Sequence, residues 1–380
     1  MKRQIVIVPA VVAIWLSFVA SRAGGEVRYT VTDIGVLPGY TAYVQAMGIN
    51  NNGQIVGYCQ RSGDWKNHAF LWQRDTGLQD IGTLGGTDAM AFSINNYGQI
   101  VGGSTNNMVF PSDPKGHHFH AFLWQNSSGM HDILNDGGYK SYSTDINDNG
   151  QVVGIYRGLD CDGDPSAPHA FLWQNGSIPM IFSPGFEPSG INNAGQVTGQ
   201  MYRNGKDRAY IWQRSTGLQN IGTLSGDNSA GAAAINDKGQ VVGTSWSTTK
   251  YPYTSRAFLW QQNNGMQDLG SLSSNGSVAA LDINNSGQVV GCSINCAFIW
   301  QSGTGMVDLN TLIDPSAGWI LGSAIGINDN GWIVGSGTNP AGDTRAFLLT
   351  PAPEPSTLLL MSIAAVSLRH TRRRRHTHPA

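Results

Sequence analysis

One phrase recurs seven times along the chain. It begins as Ile49-Asn-Asn-Asn-Gly-Gln-Ile-Val-Gly57 and returns from Ile94, Ile146, Ile191, Ile235, Ile283 and Ile327, at intervals of 44 to 52 residues. A second phrase keeps step with it: His68-Ala-Phe-Leu-Trp-Gln73, then from His120, His169, Arg208, Arg256, Cys296 and Arg345. A third follows, Asp80-Ile-Gly-Thr-Leu84, with looser relatives at Asp132, Ile178, Asn220, Asp268 and Asp308. Two phrases in register seven times over, with a third in step behind six of them, mean one supersecondary unit repeated, not a single irregular domain.

Each unit reads as four strands. The first ends in the Ile-Asn pair. Asn-x-Gly or Asp-x-Gly then makes a tight turn, since Asn, Asp and Gly tolerate the positive φ that hairpin turns demand. Gln-Ile-Val-Gly is the second strand. Ala-Phe-Leu-Trp, apolar on both faces, is the third and suits a strand sandwiched between sheets. A Thr-Gly turn leads to the fourth, Leu78 to Ile81. Four antiparallel strands in about 45 residues is the pattern of a propeller blade. The phase of the ends predicts closure. A lone fourth strand, Tyr29 to Ile34, precedes every other element, and the last unit stops after its third strand at Arg345 to Leu349. The orphan strand would complete the orphan sheet and leave no open edge. The expectation is an all-β, seven-bladed β-propeller spanning 24–350. Blades three and seven should be less regular, with Ile178 to Phe182 in place of the third phrase and Leu349 where six blades have Trp.

The phrases His-Ala-Phe-Leu-Trp and Asn-Asn-x-Gly-Gln-Ile-Val-Gly resemble the HAF repeats of extracellular bacterial proteins, over Tyr29 to Leu349. The resemblance implies location and architecture and little chemistry.

Both ends suggest export. Lys2 and Arg3, an apolar run from Ile5 to Ala20 and the small-residue exit ending at Ala23 read as a signal peptide over 1–23, cleaved by signal peptidase so that the mature chain begins near Gly24. In the tail, 351–380, Pro353-Glu354-Pro355 precedes an apolar stretch from Leu358 to Leu368 and a basic cluster of Arg369 and Arg372 to Arg375. The cluster should stay on the cytoplasmic side. This order resembles the PEP-CTERM sorting signal of Gram-negative bacteria, which implies handling by an exosortase-like processing enzyme, although the chain continues past the arginines to Ala380. A plain C-terminal anchor is the alternative. Either way the body is expected at the cell surface or outside the cell, with membrane contact through the tail as a means of holding it at the outer envelope.

Without its ends the body carries 15 basic against 24 acidic residues. An acidic body with no basic stripe argues against nucleic acid, which needs a positive footprint.

The repeated residues read as structural. Trp72, Trp124, Trp173, Trp212, Trp260 and Trp300 share one repeat position, as a packed ring between blades would require. His68, His120 and His169 share a position with three arginines and a cysteine, so that position reads as a polar contact at a strand start and not as a catalytic base. Variation is more informative. The first hairpin turn has one length in all units, whereas the insert between first and second phrases, joining the second and third strands, runs from four to 17 residues. Variable loops gather on one rim, the natural recognition face of a rigid scaffold. Trp65, Tyr156, Trp246, Tyr251 and Tyr253 lie there, and aromatics in polar loops suit stacking on the apolar C–H faces of sugars; covering loop backbone is the alternative role.

Asp160, Asp162 and Asp164 alternate as the oxygen ligands of calcium loops do. Pro165 stands where a turning Gly is usual and Phe171 where a closing Glu would be, which favours a solvated acidic turn over calcium, the one candidate cofactor. His117, His118 and His120 cluster without an acidic or cysteine partner close in sequence. Cys292 and Cys296 flank the shortest insert and would bridge if their Cβ atoms faced each other. No nucleophile, zinc or phosphate-loop motif occurs. Two functions follow as expectations: an exported surface or matrix propeller that binds a glycan or exopolysaccharide without turnover, or a propeller hydrolase or lyase with a carboxylate pair over the central channel.

Overall fold

The computed structural model describes residues 29–40, 43–61, 63, 65–107, 118–134, 140–157, 168–177, 180–182, 185–249, 254–273 and 276–352. They form seven four-stranded antiparallel sheets arranged as a β-propeller. Blade one shows the plan: Tyr43–Ile49 innermost, then Ile55–Gln60, Asn67–Gln73 and Gly77–Asp80 outermost. Blades two to six repeat it from inner strands Gly85–Ile94, Lys140–Ile146, Phe186–Ile191, Ser229–Ile235 and Val278–Ile283. In blade seven, Ile320–Ile327, Ile333–Thr338 and Thr344–Pro351 are completed by Tyr29–Asp33 from the other end of the chain. Val31 pairs with Leu349 and Asp33 with Phe347. The described residues contain two short 3₁₀ helices, Leu309–Leu312 and Pro315–Ala317, and no other helix.

The core lies between blades. Val56, Leu71 and Ile81 of blade one interlock with Ala89, Ile94, Ile100, Phe122 and Trp124 of blade two. The phenylalanine of the second phrase is fully buried in six blades, at Phe70, Phe122, Phe171, Phe258, Phe298 and Phe347. Tyr29 joins the cluster of Leu309, Leu312, Ile313 and Phe347, and burial pushes its phenol up to about 12. Trp72, Trp124, Trp173 and Trp300 are likewise buried in the wall.

The glycine that ends each Gln-Ile-Val-Gly phrase is fixed by close approach. A Cβ on Gly57 would stand 1.9 Å from the Gln45 carbonyl oxygen of the inner strand, and one on Gly199 2.1 Å from that of Glu187. No rotamer relieves a clash with backbone. Just beyond that contact every inner strand carries a β-bulge, as between Ala46 and Gly48 or Ser143 and Asp145. The bulge turns its residues toward the axis.

Blade three is the irregular one, its outer strand reduced to Met180–Ile181. Blade seven keeps four full strands, with a second bulge in its inner strand between Leu321 and Ser323. Leu349 is fully buried, and Trp332, where the phrase has Gln in the other blades, packs on the turn of blade one.

Candidate functional site

The antiparallel order puts the Asn-x-Gly turns and the turns between third and fourth strands on one rim. The loops between second and third strands lie on the other. The central channel opens on the constant rim as a polar cavity of about 290 Å³. Two closed rings of hydrogen bonds encircle it.

The inner ring uses the first Asn of each phrase. Asn50 Nδ2 donates to the Asn95 carbonyl, Asn95 to Asn147, and so on through Asn192, Asn236, Asn284 and Asn328, which donates back to Asn50, all at 2.9–3.1 Å. Within its own blade, Asn50 Nδ2 also donates to Gln54 Oε1 and its Oδ1 accepts from the backbone of Asn52 and Gln54. Both donors and both acceptor sites of the amide are used. Asp lacks the donors and Ser the reach, which accounts for seven asparagines.

The outer ring uses the next residue: Asn51, Asn96, Asp148, Asn193, Asp237, Asn285 and Asp329. Each backbone N–H donates to the side-chain oxygen of its neighbour at 2.8–2.9 Å, and the last returns to the first. Each carboxylate accepts an amide from both sides: Asp148 from Asn96 and Asn193, Asp237 from Asn193 and Asn285, Asp329 from Asn285 and Asn51. Asn51 and Asn96 are the one adjacent pair of like side chains.

Deeper in the channel the position before Ile-Asn is small in five blades (Gly48, Ser93, Gly190, Ala234, Gly326) and acidic in two. Asp145 accepts from the Ser93 hydroxyl at 2.6 Å and from the N–H of Ile146 and of Ile191 in the next blade. Asp282 accepts from Ile283 N–H and from Ile327 N–H of the next blade. Burial pushes both carboxyls up to about 6, against these hydrogen bonds, and Asp145 adds to the shift at Asp282. Both keep some accessible surface because they look into the channel. The sign follows from linkage. Between pH 4 and 6 the folded protein keeps protons that the unfolded chain has released, so these groups make stability fall as pH rises through that window, by on the order of 1–3 kcal/mol each. Denaturant titrations at pH 4 and pH 7 should show this fall, and the Asp145→Asn, Asp282→Asn double variant should flatten it. Equal slopes in the two proteins would mean that neither carboxyl is shifted.

The polar position at the start of the third strand is explained by its partner. His68 Nδ1 lies 2.7 Å from Asp80 Oδ2, and this hydrogen bond raises the imidazole pKa. Arg256 Nη1 donates to Asp268 Oδ2 at 2.9 Å, the same place in blade five, and its other nitrogens reach Asp227. His120 Nδ1 lies 3.0 Å from Asp132, although its buried ring makes no well-aligned hydrogen bond. Histidine and arginine interchange because either can face the carboxylate of the third phrase.

The rim-loop aromatics divide. Trp65 is a loop residue, 74 % exposed, at φ +58°. Such a backbone is rare for a bulky side chain, and strain of this kind gathers at functional sites. Tyr156 and Trp246 are not loop residues. Tyr156 lies within the strand Gln151–Arg157, its ring 5.4 Å from His169, and Trp246 ends the strand Val241–Trp246; both are half-buried. Their strands run past the glycine that closes the phrase. Tyr251, Tyr253, Asp160, Asp162, Asp164, His117, Ala23, Pro353, Glu354 and Pro355 lie outside the described residues. Among the described residues no group of three or more His, Cys, Asp or Glu could hold a metal ion, and no helix is long and apolar enough to cross a membrane. Cys292 and Cys296 are both free. Cys296 opposes Ser293, so the two side chains project from opposite faces of the sheet and cannot bridge.

Trp65 has company that the loops do not reveal. It shares a cleft between blades one and two with Tyr43, Tyr58, Gln60, Asn67 and Met90. Both tyrosine hydroxyls donate to Gln45 Oε1, at 3.1 and 2.6 Å, and Gln60 Nε2 donates to Asn67 Oδ1 at 3.4 Å. Tyr43 opposes Gln60 and Gln45 opposes Tyr58, so all four side chains leave one face of the sheet. The result is an uncharged cleft with three aromatic rings and three side-chain amides. A signal was present in the sequence: the position of Tyr58 holds Gly103, Ile155, Gln200, Thr244, Cys292 and Ser336 in the other blades, so the aromatic is particular to blade one.

No protein-family model matches the chain, and no curated protein matches it. Solved structures do. The chain is similar to an acylaminoacyl peptidase of Pyrococcus horikoshii at 9 % identity and a TM-score of 0.50, over 84 % of this chain and 54 % of that one. It also aligns with virginiamycin B lyase of Staphylococcus aureus at 10 % identity and a TM-score of 0.48, over 86 % and 99 % of the two chains. With TolB of Acinetobacter baumannii the figures are 12 %, 0.39, 79 % and 81 %. At these identities the likeness speaks for the fold alone: the chain is a seven-bladed β-propeller.

Proposed function

We propose that this protein is an exported propeller, at the cell surface or in the extracellular matrix, that binds glycan or exopolysaccharide through its variable rim. Export rests on the two terminal segments: a signal peptide ending at Ala23, and a tail from Pro353-Glu354-Pro355 that an exosortase-like enzyme would process. The observation that carries the binding reading is the cleft of Tyr43, Tyr58 and Trp65 with Gln45, Gln60 and Asn67. Aromatic faces stack on the C–H face of a pyranose, and amides bridge adjacent hydroxyls. A lining without charge selects a neutral sugar.

Glycan-array binding by the full chain tests it. Trp65→Ala should lower affinity about 3- to 10-fold, the value of one aromatic stack, with no change in the melting transition. Unaltered binding by this variant would remove the cleft from the reading.

Asp145 and Asp282 favour a second reading, a polysaccharide hydrolase or lyase acting in the channel, because raised carboxyls facing one cavity suit acid–base work. Release of products from polysaccharide, lost in Asp282→Asn, would favour it over binding without turnover.

A further inference from the structure

Two grooves open on the rim of constant turns, far along the ring from each other and built from the same repeat positions. Between blades one and two the groove is walled by Gln54, Gln73, Tyr97, Gln99, Trp124 and Gln125. Between blades four and five the matching residues are Gln196, Gln213, Lys238, Gln240, Trp260 and Gln261. Their volumes, about 580 and 450 Å³, fall in the range of roughly 300–1,000 Å³ usual for ligand clefts.

The glutamines are held in one orientation by a relay that starts at the inner asparagine ring. Asn50 donates to Gln54 Oε1 at 2.7 Å, and Gln54 Nε2 donates to Gln73 Oε1 at 3.0 Å. Blade four repeats this through Asn192, Gln196 and Gln213 at 2.7 and 3.1 Å. Each relay spends the oxygens and ends on the Nε2 of Gln73 or Gln213, which has no acceptor among the described residues. A chain of aligned amides strengthens its terminal donor. The groove therefore offers fixed N–H donors beside an indole edge. The first groove has no charged side chain, and the second has Lys238 and Asp237, one of each sign. A ligand matching this chemistry is uncharged and rich in hydroxyl oxygens.

The ring has one groove that cannot serve. Between blades seven and one, Trp332 stands where the glutamine would. Its ring covers Gly53, where a Cβ would lie 2.4 Å from it, and the Arg74 guanidinium sits 5.5 Å above it.

We propose that the constant rim is a multivalent sugar-binding face, each repeated groove taking one uncharged sugar unit and the groove filled by Trp332 taking none. Several weak sites on one rigid ring would hold a polymer by avidity. The ligand class is that proposed for the Trp65 cleft, but the face is the opposite one, and neither site depends on the other.

The test is native mass spectrometry of the full chain titrated with neutral hexasaccharides of glucose, mannose, galactose and N-acetylglucosamine. At least one should give a ladder of more than two bound molecules per chain. Trp65→Ala should remove at most one step. The Gln73→Leu, Gln213→Leu double variant should remove two, with the melting transition in place. Should that variant melt early, Tyr97→Ala, an exposed turn substitution, should still remove one. A single step, no binding by any of the four sugars at millimolar concentration, or a ladder that Gln73→Leu, Gln213→Leu and Tyr97→Ala leave intact would overturn the proposal. Loss of the whole ladder in Trp65→Ala would overturn it too, while leaving the cleft as the binding site.

Discussion

A chain shortened to begin at Pro38 should lose its cooperative melting transition and aggregate. The deletion removes Tyr29–Asp33, the outer strand of blade seven, together with the buried side chains of Tyr29, Ile34 and Leu37. Burying three such side chains is worth on the order of 5–9 kcal/mol, comparable to the whole stability of a typical domain, about 5–15 kcal/mol. The loss is also topological. Tyr29–Asp33 is continuous in chain with blade one and hydrogen-bonded into blade seven, and without it Thr344–Pro351 becomes an open edge with unpaired N–H and C=O groups. Scanning calorimetry would show the missing transition. A synthetic peptide of residues 29–37 added in trans should restore it, because an open edge accepts a strand. If the shortened chain melts like the parent, closure does not hold the ring together.

The second large effect is expected from Asn192→Asp. The substitution is isosteric, yet Asn192 donates to Gln196 Oε1 at 2.7 Å and to the Asn236 carbonyl at 3.0 Å. Aspartate would face both oxygens with a carboxylate. Two buried acceptors lose their donors and a charge is left unpaired, costing on the order of 3–5 kcal/mol. The midpoint should fall by roughly 5–15 °C. Asn204→Asp, at an exposed turn of φ +53° that Asp tolerates, is the control and should change little. If Asn192→Asp melts with the control, the inner ring is ornament, and the seven asparagines serve only their own turns.

The architecture was legible because each repeat position meets the same surroundings. Phe70 and its counterparts are buried in six of the seven blades, so the copies report one environment. Closure could be read from phase, since an unpaired fourth strand at Tyr29 and an unfinished sheet at Leu349 have one joint solution. The exchange of His68 with Arg256 pointed correctly to a polar contact, and Asp80 and Asp268 proved to be its partners.

What escaped the sequence depends on distance. Asn50 reads locally as a turn residue. Its second role is a bond to Asn95, which exists only once neighbouring blades are side by side. The cleft escaped for a related reason. Tyr43, Gln45, Tyr58 and Gln60 are strand residues, joined by cross-strand register and not by proximity in the chain. Tyr156 and Trp246 erred the other way, since counting from phrase to phrase overstates the loops when strands continue two to four residues beyond the closing glycine.

The outer ring of amides and carboxylates is a cycle with an odd number of members, and an odd cycle cannot be coloured in two alternating colours. Wherever donor-bearing and acceptor-only groups take turns around seven places, one pair of like neighbours must remain. Two carboxylates there would repel, so the mismatch has to be amide against amide, as at Asn51 and Asn96. Parity alone thus caps the acidic members of such a ring at three. An eighth unit inserted at that seam, bearing aspartate, would be the first to let the pattern close without a fault.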